Sequence, residues 1–161
     1  MVVRTGIGFD VHPFAEGRRL VLGGVEIDHP RGLAGHSDAD VVCHAIADAL
    51  LGAAALGDIG HHFPPEDPRW KDVDSREVLR IVAVRLQEAG WEILNVDATV
   101  LAEAPRITPH SDAMRSEIAA ALSIGLNEVG VKATTMEGLG SIGRREGIAA
   151  MAVATIQRRP E

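Results

Sequence analysis

Gly6-Ile7-Gly8-Phe9-Asp10-Val11-His12 alternates between apolar residues and small or polar ones, a period typical of a β-strand. Residues two apart in a strand share a face, so the three apolar side chains are predicted to pack inward. The carboxylate and the second polar side chain, an imidazole, then project together from the opposite face. Such a pair on a stiff strand makes half of a divalent-metal site. By itself the pattern is more typical of a solvated strand end.

The composition is that of an ordinary globular chain, with 46% apolar and 24% charged residues among 161. This length suits one domain with its own hydrophobic core. Aromatic residues make up only 3% and the formal net charge is -7, so neither a base-stacking platform nor a basic nucleic-acid surface is expected. An anionic small substrate is still compatible with this charge, because a bound metal can supply the missing positive charge.

Cys43 is the only cysteine, which excludes an intrachain disulfide and a thiolate metal cluster. The N-terminal run lacks the basic segment, apolar core and cleavage site of a signal peptide. No apolar run is long and uniform enough to span a bilayer. We therefore expect a cytoplasmic protein that has neither a nucleic acid nor a membrane as its partner.

Apolar periodicity and turn residues divide the rest of the chain into short elements. Strands are predicted at residues 2–9, 20–22, 25–27, 92–102, 129–133 and 148–156, and helices at 38–54, at 75–89 between the cap Asp74 and Gly90, and at 109–123. Gly23-Gly24 joins two of the strands as a hairpin. The order predicts an α+β fold in one domain, residues 1–161: a mixed four-stranded sheet covered by helices on one side, plus a small N-terminal hairpin.

The first predicted helix carries a second candidate ligand. Ser37 is its expected N-cap, with Asp40 as the acidic partner of a capping box. Asp40, His44 and Asp48 are four residues apart and stack on one helix face. His44 is therefore a candidate metal ligand held by carboxylates one turn away on each side. A helix surface with local ion pairs explains the same pattern equally well.

Two loops are of the kind that covers a substrate. Residues 57–74 form a long irregular segment, in which His61-His62 is interpreted as solvated because adjacent side chains seldom converge on one point. Residues 102–109 form the second loop, and Thr108 followed by Pro109 is the expected start of the third helix. The helix at 75–89 is assigned no chemistry.

Together, Asp10, His12 and His44 make a zinc-type ligand set that leaves a fourth position open. Nitrogen ligands favour zinc over magnesium. Glu137, close to Thr134 and Thr135, could hold a second and harder ion that shares phosphate oxygens. A diphosphate held between two metals suits in-line phosphoryl transfer, in which positioning and charge neutralisation do most of the catalysis.

Motifs spread over nearly the whole chain resemble those of the 2-C-methyl-D-erythritol 2,4-cyclodiphosphate synthase family. They are Gly8-Phe9-Asp10-Val11-His12, His36-Ser37-Asp38-Ala39-Asp40, His44-Ala45, Leu51-Gly52-Ala53-Ala54-Ala55-Leu56-Gly57-Asp58-Ile59-Gly60, Phe63-Pro64, Asp74-Ser75-Arg76, Asn95-Val96-Asp97, Ala104-Pro105, Val131-Lys132-Ala133-Thr134-Thr135 and Gly143-Arg144 with Glu146-Gly147-Ile148-Ala149. Several separate motifs in one order are far more specific than any one of them.

The resemblance implies a phosphorus–oxygen lyase of the non-mevalonate isoprenoid pathway, which cyclises a 4-diphosphocytidyl-methylerythritol 2-phosphate with release of CMP. It implies a homotrimer whose active sites lie between subunits. Asp10, His12 and His44 match the ligands of a zinc ion or another divalent transition metal. Glu137 matches the residue facing a magnesium or manganese ion that the substrate diphosphate bridges.

The resemblance further implies that His36 and Thr135 stabilise the transition state. Its implied substrate-binding residues are Asp10, His12, His36, Ser37, Asp58, Ile59, Gly60, Phe63, Pro64, Pro65, Glu66, Asp67, Ala102, Glu103, Ala104, Pro105, Arg106, Ile107, Thr108, Thr134, Thr135, Met136, Glu137, Ser141 and Arg144. Pro65 departs from the family pattern, which often has an aspartate there. Ser141 replaces a common phenylalanine, which weakens the expectation of an isoprenoid diphosphate near Arg144.

Two other functions fit the same ligand set. A metal-dependent phosphohydrolase would hold a water on the metal and convert simple nucleoside diphosphates. A trimeric nucleotide-binding module would use the metal for structure alone.

Overall fold

The computed structural model describes residues 1–159, which form one mixed sheet with helices against one face. The strands are β1 Val3–Ala15, β2 Leu20–Leu22, β3 Val25–Ile27, β4 Gly32–Leu33, β5 Trp91–Leu101, β6 Val129–Thr134 and β7 Gly147–Arg158; the helices are α1 Val41–Ala54, α2 Ile59–His62, α3 Ser75–Glu88, α4 Ser111–Leu122 and α5 Gly140–Gly143. The α+β class and the N-terminal hairpin β2–β3 are confirmed. Within residues 1–159, no helix combines the length and apolar character that crossing a membrane requires.

The main sheet has five strands in the order β4-β1-β7-β5-β6, so the predicted count of four was wrong. Only the β5–β6 pair is parallel, and the other pairs are antiparallel. The additional strand is β4, two residues long, which pairs with Phe14 and Ala15 at one edge. Two residues beside a glycine carry no alternation, which is why the sequence pattern indicated only a loop there.

The two faces of β1 are oriented opposite to the prediction. Ile7, Phe9 and Val11 were expected to pack inward, but they are 67%, 54% and 47% exposed on the face away from the helices. Alternation specifies which residues share a face but not which face meets the core. The helix-facing side of β1 instead carries the glycines and the polar pair.

Helix α1 lies against β1 at an unusually close distance, and two glycines permit it. A Cβ added to Gly8 would lie 1.9 Å from the carbonyl oxygen of Ala45, and one added to Gly6 would lie 2.1 Å from that of Ala49. Any side chain at either position would therefore push the helix away. The close contact brings the start of α1 next to the end of β1, where the polar residues stand.

Several element boundaries differ from the predictions. Helix α1 starts at Val41 instead of residue 38, because Asp40 is its N-cap and Ser37 is not. Helix α4 starts at Ser111, after a 3₁₀ turn that Thr108 begins. The segment predicted to be irregular contains α2 and a further 3₁₀ turn, although its prolines do exclude an α-helix between residues 64 and 68. The predicted cap of α3, Asp74, is confirmed.

Candidate metal centre

Asp10, His12 and His44 converge at the point where β1 meets α1. Oδ2 of Asp10 lies 3.1 Å from Nε2 of His12 and 3.0 Å from Nδ1 of His44. The three candidate ligand atoms all lie within 4.8 Å of one another. Ligands of a tetrahedral zinc ion, with bonds of about 2.0–2.1 Å, stand about 3.3 Å apart. The donor set and its spacing therefore fit a zinc-type cation with one position open.

Charge at this cluster is shared between the carboxylate and the rings. Burial by itself would raise the pKa of Asp10, but hydrogen bonds to His12 and His44 outweigh burial and hold that pKa well below its usual range. Burial would lower the pKa of His44, yet its hydrogen bond to Asp10 and the surrounding negative charges raise that pKa above its usual value. The cluster thus attracts positive charge where a cation would sit.

Asp40 and Asp48 were expected to hold His44, but both accept hydrogen bonds from backbone N–H groups instead, so that part of the prediction was wrong. Asp40 is fully buried and accepts hydrogen bonds from the backbone N–H groups of Gly23, Gly24, Val42 and Cys43. It fastens the β2–β3 turn to the start of α1.

Asp48, on the same face of the helix, accepts from the backbone N–H of Ile59. Nε2 of His44 instead lies 3.2 Å from Oγ of Ser37 and 2.9 Å from Oγ of Ser75. Ser75 belongs to the helix to which no chemistry was assigned, although Asp74-Ser75-Arg76 is one of the motifs that carry the family resemblance.

A cavity of about 230 Å³ opens beside the three side chains. Its lining contains Asp10, His12, His36, Ser37, His44, Ile59, Gly60, Phe63, Pro65, Trp70, Val73 and Val78. Sequence reasoning missed Trp70, whose ring packs edge-on against Phe63 with 4.9 Å between ring centres. It also missed Arg18, which donates to the carbonyls of Gly35 and Ser37 and so holds the segment that carries His36.

The other residues predicted from the first loop do not line this cavity. Asp58 caps α2 by accepting from the N–H of His61, and Asp67 pairs with Arg69 at the surface. Pro64 and Glu66 complete that segment. His61 is exposed as predicted, but His62 is not free in solvent, because its ring bonds to the carbonyl of Leu56 and to Arg85.

A second cavity, also of about 230 Å³, lies where β5 and β6 end. It is lined by Ala102, Glu103, Pro105, Arg106, Ile107, Thr108, Ala133, Thr134 and Thr135, and it shares no residue with the first. Ala104 lies in the same loop, joined to Pro105 by a cis peptide bond. Glu103 accepts from the N–H of Met136, and this bond ties the loop to the turn after β6.

Glu137 is not part of the three-residue cluster within this chain. It lies in the exposed turn after β6, where its N–H donates to Oγ1 of Thr135. Ser141 and Arg144 are also exposed, at α5, and Arg144 pairs with Glu146. The strand register connects Thr134 to Leu101, Leu101 to Ala149 and Ala149 to Val11. Thr134 therefore lies three strand spacings from Val11, a distance of about 14 Å across the sheet.

Comparison with known proteins gives consistent matches over the full length of the domain. The model of the YgbB family matches residues 3–157. The 2-C-methyl-D-erythritol 2,4-cyclodiphosphate synthase of Salinibacter ruber is 61% identical over 155 residues, covering 96% of this chain and 99% of the relative.

Two solved structures share the fold. The IspF–CDP complex of Plasmodium falciparum has a TM-score of 0.85 at 32% identity, covering 98% of this chain and 97% of that one. The bifunctional IspDF of Campylobacter jejuni has a TM-score of 0.94 at 43% identity, covering 98% of this chain and 42% of that longer one.

Proposed function

The chain belongs to the YgbB family, and from this we propose that it is a 2-C-methyl-D-erythritol 2,4-cyclodiphosphate synthase. It converts 4-diphosphocytidyl-2-C-methyl-D-erythritol 2-phosphate to the 2,4-cyclodiphosphate, with release of CMP, in the non-mevalonate isoprenoid pathway. The observation that carries the proposal is the convergence of Asp10, His12 and His44 on one point beside a cavity. The reaction class is that of a phosphorus–oxygen lyase.

Asp10, His12 and His44 would hold a zinc ion or another divalent transition metal, since two imidazoles and a carboxylate suit such an ion. Glu137 would face a magnesium or manganese ion that the substrate diphosphate bridges. When bound, the two cations supply positive charge against the phosphate oxygens. This chain has a formal charge of -7 and needs such a source to attract a trianionic or more highly charged substrate.

The chemical step exchanges one phosphorus–oxygen bond for another. An oxygen of the 2-phosphate forms a bond to the β-phosphorus, while the bond from that phosphorus to the oxygen of the α-phosphate breaks and CMP leaves with that oxygen. The attacking phosphate is already an anion, so no side chain has to remove a proton from it. The protein contributes by alignment and by donors placed around the developing charge.

The side chains divide this work between the two cavities. In the first, His36 at the rim and Ser37 face the phosphates, while Ile59, Gly60 and Phe63 enclose the methylerythritol portion. Asp58 reaches the sugar hydroxyl groups from the cap of α2, and Pro64, Pro65, Glu66 and Asp67 form the outer wall.

In the second cavity, the 102–108 loop with Thr134, Thr135 and Met136 reads the cytidine, and Thr135 also stabilises the transferring phosphorus. Ser141 and Arg144 extend the substrate-binding set beyond that cavity. The P. falciparum relative, whose structure contains CDP, supports a cytidine nucleotide as the ligand.

The active assembly is a homotrimer, with each site shared between neighbouring chains. Two features of the single chain support this. The sheet face opposite the helices exposes Ile7, Phe9, Val11, Met151 and Val153, and burial of such a large apolar surface favours association. The two cavities are also separate within one chain, which supports an arrangement in which a neighbouring chain completes each site.

Residues 1–161 make a single synthase domain, of which the last two residues lie outside the described part of the chain. The expected compartment is the cytoplasm. No nucleic acid or membrane enters the reaction.

Turnover with the purified protein tests the proposal directly. The diphosphocytidyl substrate is incubated with zinc and magnesium, and the products are followed by ³¹P NMR. We expect CMP and a cyclic diphosphate in equal amounts. Linear hydrolysis products would contradict the proposal and indicate a phosphohydrolase. Tight CDP binding without turnover would also contradict it and indicate a binding module.

A further inference from the structure

Both ring nitrogens of His44 have a hydrogen-bond partner. Its Nδ1 faces Asp10, and its Nε2 lies 2.9 Å from Oγ of Ser75, the first residue of α3. Ser75 is completely buried, one of only two buried polar or charged residues among residues 1–159. Asp74 already caps α3, so the start of this helix does not require Ser75 to be buried against a candidate metal ligand.

Ser75 is itself oriented by Asp38. One carboxylate oxygen of Asp38 accepts the hydroxyl proton of Ser75, and the other accepts its backbone N–H at 2.9 Å. Because the hydroxyl proton is committed to Asp38, the lone pairs of the serine oxygen are directed at Nε2. That oxygen can then accept a proton from His44, which leaves Nδ1 unprotonated and available as a ligand.

We propose that Ser75, oriented by Asp38, is the positioning residue that holds His44 in the tautomer and ring orientation a metal ion requires. The inference rests on the metal site of the proposed function. A ligating histidine commonly donates its other N–H to such an acceptor, and loss of that acceptor weakens metal binding. Here a hydroxyl relays the interaction from a carboxylate in a different part of the chain.

Ser37 is the competing acceptor, but its geometry is less suitable. Its Oγ lies 3.2 Å from Nε2, and that oxygen already accepts the backbone N–H of Ala39. Ser37 is also only partly buried, in the loop at the rim of the cavity. The assignment therefore goes to Ser75.

Zinc affinity of the metal-free full-length protein, measured by competition with a chromophoric chelator, tests the inference without any turnover. Ser75→Ala should weaken zinc binding by about 10–100-fold. Ser111→Ala is the matched control, because it makes the same change at the first residue of α4, and its zinc affinity should equal that of the wild type.

Asp38→Asn provides a second test of equal size and shape. A neutral amide accepts the serine hydroxyl proton less strongly than the carboxylate does, whichever way the amide is turned. The hydroxyl proton is then freer to turn towards Nε2, which favours a proton on Nδ1 and weakens zinc binding. Asp38 also accepts the N–H of Asp40, so the stability of this variant is measured separately by urea denaturation. It carries the test if Ser75→Ala does not fold.

NMR of the zinc-loaded protein adds a readout that a purely structural role would leave unchanged. The Nε2–H proton of His44 should give a protected signal in the wild type and in Ser111→Ala, and should exchange rapidly in Ser75→Ala. Folded Ser75→Ala and Asp38→Asn proteins that both bind zinc as tightly as the wild type would overturn the inference and leave the proposed function intact. A wild-type protein that binds no zinc would overturn both.

Discussion

Oδ2 of Asp10 lies 3.0 Å from Nδ1 of His44, a residue 34 positions further along the chain. The two side chains come from β1 and α1, which can approach this closely only because Gly6 and Gly8 of β1 have no side chains. The contact defines the site, since His12 shares the strand face of Asp10 and joins the same oxygen at 3.1 Å. Loss of either side chain, of the carboxylate charge or of the close packing between β1 and α1 should therefore change metal binding, turnover or the free energy of unfolding.

Removal of one ring should abolish turnover. His44→Ala deletes one of three candidate ligands, so we expect a loss of zinc affinity and of turnover greater than the roughly 10–100-fold that loss of a supporting partner costs. His110→Ala, at the end of a 3₁₀ turn on another element, is the control and should retain wild-type rates. Full turnover in His44→Ala would mean that the cluster is not catalytic.

The Asp10–His44 pair should give the metal-free protein a stability maximum in mildly acidic solution. The lowered pKa of Asp10 means that its stabilisation is complete above the ordinary carboxyl pKa of about 3.9 and is lost as the pH falls through the folded value. The raised pKa of His44 means that its stabilisation is complete below the ordinary imidazole pKa of about 6.5 and is lost as the pH rises through the folded value.

Urea denaturation in the presence of a chelator measures this window. The free energy of unfolding contributed by the pair should be largest between about pH 4 and pH 6.5. Asp10→Asn should flatten the profile, whereas Asp112→Asn, at an exposed surface carboxylate, should not. Identical profiles for Asp10→Asn and the wild type would show that the pair is not coupled in solution.

The close approach of α1 to β1 should tolerate no side chain. Gly8→Ala places a Cβ 1.9 Å from the carbonyl oxygen of Ala45, and we expect a loss of about 3 kcal/mol or more in the free energy of unfolding, together with lost zinc binding. Gly52→Ala is the matched control on the helix, where the nearest heavy atom is 4.0 Å away. That change should be neutral or stabilise by up to about 1 kcal/mol. Equal thermal unfolding midpoints for the two variants would contradict this account.

Asp40 should contribute more to the free energy of unfolding than a surface carboxylate does. Asp40→Ala leaves four backbone N–H groups without their acceptor at a buried helix start, so we expect a cost of about 4 kcal/mol. Asp112→Ala removes a first-turn carboxylate of α4 that is 96% exposed, and it should cost less than about 1 kcal/mol. Chemical denaturation compares the two, and similar costs would count against the proposed role of Asp40.

The exposed apolar sheet face should mediate trimer formation. Sedimentation equilibrium of the wild type should give three times the 17.1 kDa of one chain. Phe9→Glu puts a charge in that face and should yield monomers with little activity. Val84→Glu, at a position of similar exposure on α3, should remain trimeric. A monomeric wild type with full activity would contradict the assembly.

Much of this site follows from local pattern. The alternation around Asp10 and His12 places both on one strand face, and the double glycine at 23–24 predicts the hairpin; both are confirmed. These are properties of neighbouring residues, so the residues themselves carry the information. The four-residue spacing of Asp40, His44 and Asp48 made His44 a candidate ligand, and the family resemblance then matched it to the same role.

Local amino-acid pattern specifies which residues share a face, where the main helices and strands lie, and which three side chains are the candidate metal ligands. The packing of distant elements sets Gly6 and Gly8 against the helix, turns Ile7 and Phe9 outward, and places Ser75 and Asp38 beside His44. These relationships depend on which distant elements pack together. An alternating strand gives the same sequence pattern whichever of its two faces is buried. The physical reason is that burial is a property of the contact between elements and not of the element alone.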